Sequence, residues 1–133
     1  MISMDELLKG ANLSDQTPEI QANLATLLER VNNIRIGWGM PMTVTSGLRT
    51  REDQIRVYAA KGITDESKIP WGSQHLHGAA VDIYDPGLKL TAWLKENDSQ
   101  RLVDAQLWCE EGNSNWVHFQ IYPPKSGNRW FLP

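Results

Sequence analysis

The spacing of apolar residues along the chain shifts from a helical to an alternating period. In "TPEIQANLATLLERVNNIRIG" (17–37), Ile20, Leu24, Leu27, Leu28 and Val31 recur at helical spacing, which predicts a long amphipathic helix. Thr17 is placed to cap it, and Pro18 suits its first turn. "MTVTS" (42–46) is a short β-branched run and predicts a strand. "TREDQIRVYAAKG" predicts a second helix, with Thr50 and Asp53 forming a capping box and Gly62 a stop. Residues 62–78 read as a long loop. Alternation then takes over in "AAVDIYD" (79–85) and "NWVHFQIY" (115–122), which predict strands. Between them "KLTAWLKEN" predicts a short helix and "SQRLVDAQLWCEEG" helix or mixed structure. The tail "PPKSGNRWFLP" is too rich in proline and glycine for regular structure. With no repeat or linker, this order predicts one α+β domain over residues 1–133, a small, mainly antiparallel sheet packed against helices.

One position breaks the apolar pattern. Asp82 lies inside a run that otherwise reads as a buried strand, and an ionised carboxylate is costly to bury unless something meets its charge. In an extended backbone Ala80, Asp82 and Tyr84 share one face, opposite Val81 and Ile83. In the last strand Trp116, His118 and Gln120 share a face, opposite Val117, Phe119 and Ile121. If the two strands pair, Asp82 and His118 can meet, and His75 can join them from the preceding loop. Two imidazoles, one carboxylate and an open fourth position describe a catalytic zinc site. The same residues also suit a fold in which Asp82 caps a turn or pairs with an arginine, and His118 is a hydrogen-bonded core histidine.

Composition narrows the choices. The net charge of −3 and the lack of a basic block argue against nucleic acid as a partner. With Cys109 the only cysteine, neither an internal disulfide nor a thiolate zinc site can form, so His, Asp or Glu must hold any metal. Cys109 itself is expected to pack as a small apolar residue. The N-terminal "MISMDELLKGANLSDQ" has no apolar run of the Sec signal type, and no stretch is long enough to insert in a membrane. Synthesis in the cytoplasm is therefore expected. Among six tryptophans, Trp71, Trp116 and Trp130 are expected in the core or as cleft walls.

Three ordered blocks, "SGLRT" (46–50), "SQHLHGAAVDIYD" (73–85) and "WVHFQ" (116–120), resemble the zinc D-alanyl-D-alanine carboxypeptidase family. That family includes L-alanyl-D-glutamate endopeptidases of phage endolysins and is related in fold to the hedgehog signalling domain. Ser73, His75, Gly78, Ala80, Asp82 and Ile83 match its central block, Ser-x-His-x-x-Gly-x-Ala-x-Asp-Ile/Leu. The resemblance implies a hedgehog-like peptidase fold and one Zn2+ held by His75, Asp82 and His118. It also implies that Arg49 polarises the scissile carbonyl together with the metal. Leu48 replaces the usual tyrosine, a change that bears on the substrate pocket. Ser73 is expected to bind substrate or hold the loop, and His77 to be an exposed loop histidine.

The resemblance is incomplete at one point. Zinc hydrolysis needs a general base, and many relatives carry an aspartate three residues before the last histidine. Here that residue is Asn115, whose amide cannot take a proton. Glu110 and Glu111, in "CEEGNSNWVH", are the replacement candidates, with Glu111 preferred as the nearer. The expected function is hydrolysis of a peptide bond in the peptidoglycan stem peptide, by activated water, by a monomer. It would reach the wall through holin-type release or as a phage virion component. The alternative is a zinc-containing wall-binding or protein-binding module that lost its base.

Overall fold

The apolar stripe forms α2 (Pro18–Trp38) in a computed structural model that describes residues 1–133. The Thr17 side chain accepts from the Ile20 N–H, and Leu24, Leu27, Val31 and Ile34 are buried, with Ile20 and Leu28 at the edges of the stripe. A short helix, α1 (Met4–Leu8), precedes it, started by a reciprocal cap between Ser3 and Glu6. The Thr50–Asp53 capping box opens α3 (Arg51–Ala59). α4 (Lys89–Ala105) is broken where Asn97, Asp98 and Ser99 take φ of 53°, 55° and 60°. No helix is long and apolar enough to cross a membrane.

Five strands form one sheet: β1 (Val44–Ser46), β2 (Ala80–Tyr84), β3 (Trp108–Glu110), β4 (Trp116–Gln120) and β5 (Trp130–Phe131). Their order is β1-β2-β4-β3-β5, antiparallel except where β5 runs parallel to β3. The fold is thus α+β with a mainly antiparallel sheet. Val81, Ile83, Cys109, Val117 and Phe119 join the buried residues of α2 and α4 in one core. The opposite face of the same strands carries Asp82, His118 and Glu110. Alternation at period two therefore separates core from chemistry.

The tail departs from expectation. Its Pro/Gly composition predicts no regular structure, yet Trp130 and Phe131 form β5. The cause is tertiary: β3 would otherwise expose unpaired backbone groups. Arg129 O accepts from Cys109 N–H at 2.9 Å, and Phe131 O from Glu111 N–H at 2.7 Å. Trp130 Nε1–H donates to Ser99 Oγ at 2.8 Å, at the break in α4.

Immediately after β2, the buried Asp85 carboxylate accepts from the Leu90 and Thr91 N–H groups at 2.8 and 2.9 Å and from the Thr91 hydroxyl at 2.6 Å. These bonds tie the end of β2 to the start of α4. Asp85→Ala should cost about 2–3 kcal/mol, because it removes a charged helix cap and leaves buried donors unpaired. Urea denaturation of the variant against the native chain measures this directly.

Candidate metal centre

Strand pairing sets the centre. In the β2–β4 register Asp82 lies directly opposite His118, with Val81 opposite Phe119 and Ile83 opposite Val117. His75 comes from a 3-10 turn, Gln74–His77, that ends on Gly78. Gly78 has φ of 67°, and a Cβ there would lie 2.9 Å from Leu24 Cγ on α2. Only glycine lets the turn pack this closely and redirect the chain into β2. One atom each from His75, Asp82 and His118 then falls within 4.8 Å of the other two, a spacing suited to a metal ion.

The hydrogen bonds around this group select the donor atoms. His75 Nδ1 meets the Gly47 carbonyl at 2.9 Å, while its Nε2 faces Asp82 Oδ1 at 3.4 Å. His118 Nε2 meets Gln120 Oε1 at 2.9 Å, while its Nδ1 faces the same Asp82 oxygen at 2.9 Å. Each imidazole thus donates its outer N–H to an oxygen and turns its other nitrogen inward. Such outer contacts fix the tautomer of ligating histidines. Gln120 is itself held, its Nε2–H donating to Tyr122 O at 2.8 Å. Gly47 admits no side chain, since a Cβ would strike the Leu7 carbonyl.

Charge balance follows from burial. Burial opposes ionisation of Asp82, but hydrogen bonds from His118 and His75 and their positive charge outweigh it, holding the carboxyl well below its ordinary range. Burial likewise opposes a charged His118. The bond to Asp82 and the charges of Glu110 and Asp82 win, and its pKa rises. The two shifts favour an ion pair between Asp82 and His118, and a cation held by these residues would compete with the proton on the imidazole. The donor set of two imidazoles and one carboxylate fits zinc.

A family model described as Peptidase M15 matches residues 2–120. The chain belongs to the peptidase M15 family. This is the zinc D-alanyl-D-alanine carboxypeptidase-like family that the three sequence blocks resemble, and it is zinc-dependent. No curated protein and no solved structure matches the chain.

In this M15 chain the three residues open onto a cleft of about 550 Å³, lined also by Arg49, Ser73, Glu110 and Trp116. The Arg49 guanidinium meets Ser46 Oγ at 3.3 Å, and its backbone N–H donates to His75 O at 3.1 Å. Glu110 Oε1 lies 3.1 Å from His118 Nδ1. Glu111, the preferred base on sequence, is not brought to the group: it meets Lys95 Nζ at 2.6 Å and lines a smaller, adjoining cavity. Adjacent residues on an extended backbone face opposite ways, so proximity in sequence misleads here. Asn115 is exposed outside the cleft.

Leu48 is buried in the core, so its replacement of tyrosine does not touch the cleft. His77 is exposed, as expected. Cys109 is buried, and burial pushes its thiol pKa up, consistent with an unreactive packing residue. Trp116 walls the cleft and Trp130 packs on the core, whereas Trp71 lies beneath Arg51 on the surface loop. Sequence reading missed the role of Gln120, although its position on the His118 face was a signal. Nothing local marked the Gly47 carbonyl.

Two predictions follow from the protonation pattern and the outer contacts. The lowered Asp82 pKa stabilises the metal-free fold above the ordinary value of 3.8 and is lost as pH falls through the folded value. The raised His118 pKa stabilises it below the ordinary 6.5 and is lost as pH rises through the folded value. Thermal melts in chelator should therefore show this pair contributing most between roughly pH 4 and 6.5. Saturating zinc should reverse the alkaline decline, since metal and proton compete for Nδ1. Separately, Gln120→Leu should weaken zinc binding about 10–100-fold in competition with a chromogenic chelator, with the fold intact by circular dichroism.

Proposed function

We propose that residues 1–133 act as a single-domain zinc peptidase that hydrolyses a peptide bond in the stem peptide of bacterial peptidoglycan. The observation that carries this reading is the convergence of His75, Asp82 and His118 in an open cleft, with the Glu110 carboxylate 3.1 Å from His118 Nδ1. The three residues would hold one Zn2+, which supplies a Lewis acid and lowers the pKa of water.

The chain's own groups do the rest. Glu110 takes the proton of the attacking water on a carboxylate oxygen and returns it to the leaving amine. Arg49 has donors beyond its Ser46 contact, and these meet the carbonyl oxygen as negative charge collects on it. The Ser73 side chain caps no N–H of the turn that follows it, which leaves its hydroxyl for the substrate backbone. The motif likeness to phage endopeptidases supports action at the cell wall, after holin-type release or within a virion; the acting form is taken as a monomer. Asn115 was the feature favouring a non-catalytic module. Glu110 beside His118 supports the peptidase instead.

Digestion of purified peptidoglycan by zinc-loaded protein tests this. New amino groups should appear, vanish with chelator and return with zinc. Tight metal binding without amine release would leave only the binding module. Glu110→Gln should lower kcat about 10²–10⁴-fold with zinc retained, while Glu111→Gln stays near the native rate. Arg49→Ala should cost about 10²–10³-fold.

A further inference from the structure

The region beyond Gln120 lies past the residues that the family match covers, so the match carries no expectation for it. Yet this region supplies one wall of the cleft. In the parallel β3–β5 register Phe131 lies opposite Glu110, which puts the two side chains on one face of the sheet. The Phe131 ring stands edge-on to the His118 imidazole, with centroids 6.3 Å apart and planes at 84°.

Phe131 and its neighbour serve different environments. Trp130 packs against the hydrophobic core, whereas Phe131 is half-buried, stands apart from that core and lines the cleft. Its backbone is fixed, since Phe131 O accepts from Glu111 N–H at 2.7 Å and Arg129 O from Cys109 N–H at 2.9 Å. Arg49, Ser73 and Glu110 line the cleft beside the metal-binding residues, and Trp116 shares its apolar surface with Phe131. A rigid, partly exposed aromatic ring among such groups gains when an apolar group covers it.

We infer that β5 is the selectivity element of this cleft, and that Phe131 packs against an apolar substrate side chain next to the bond being cleaved, on the Glu110 side. The inference rests on the peptidase reading. Phe131 is accordingly a specificity-determining residue, and the polar groups opposite it position the peptide backbone.

The test compares native protein, Phe131→Ala and Phe131→Leu, all zinc-loaded. The substrates are short peptides that differ only in one residue flanking the cleaved bond: methyl, isobutyl or carboxylate side chain. The native chain should prefer the apolar members. Phe131→Ala should lose about tenfold of that preference in kcat/KM, and Phe131→Leu should recover part of it. A purely structural role would lower every substrate by the same factor, and that result, or unchanged ratios, overturns the inference. If Phe131→Ala fails to fold, the ratio measured for Phe131→Leu decides. Should the native protein cleave neither peptides nor peptidoglycan, the peptidase reading itself has failed. Calorimetric binding of the same peptides then decides: equal affinities for native and variant protein overturn the role of Phe131, and a lost apolar preference sustains it.

Discussion

The register between β2 and β4 is the constraint on which the rest of the molecule depends. It seats Asp82 opposite His118 on one face while Val81, Ile83, Val117 and Phe119 fill the core on the other. A slip of one residue in either strand would turn its polar residue, Asp82 or His118, into the hydrophobic core and its two apolar neighbours into the cleft. Burying those apolar side chains and burying an unpaired charge pull in opposite directions, and only one register satisfies both. The hydrophobic effect thereby aligns the polar site without any contact of its own to it.

Within that register, electrostatics sets the chemical character of the centre. Asp82 shares one oxygen between two imidazoles, and each imidazole is oriented from behind by an oxygen on a rigid element. The Gly47 carbonyl is presented by a backbone that packs too closely on Leu7 for any side chain, and Gln120 is braced by Tyr122. The donors are therefore held in place before a ligand arrives. Such preorganisation reduces the ordering cost that a flexible site would incur on binding.

The sheet edges add what the central strands lack. β3 delivers Glu110 to His118 and turns Glu111 outward to Lys95, so one pair of adjacent carboxylates is split between the cleft and the surface. β5 completes β3 and brings Phe131 alongside Glu110. A segment whose composition reads as irregular becomes ordered because an open strand edge offers it backbone partners and Ser99 offers one to Trp130. The distribution of polar and apolar surface in the cleft thus depends on the last strand to be added.

Local pattern by itself determined α2, the Thr50–Asp53 capping box, the two central strands and the face on which Asp82 and His118 lie, because helical and extended backbones project side chains at fixed intervals. The three motif blocks likewise identified the peptidase family. Only the tertiary structure decided that Glu110 rather than Glu111 reaches His118, that Leu48 belongs to the core, that Gln120 and the Gly47 carbonyl orient the histidines, and that the tail forms a strand. Those outcomes depend on pairing and packing between residues far apart in the chain, and such contacts leave no period in the sequence.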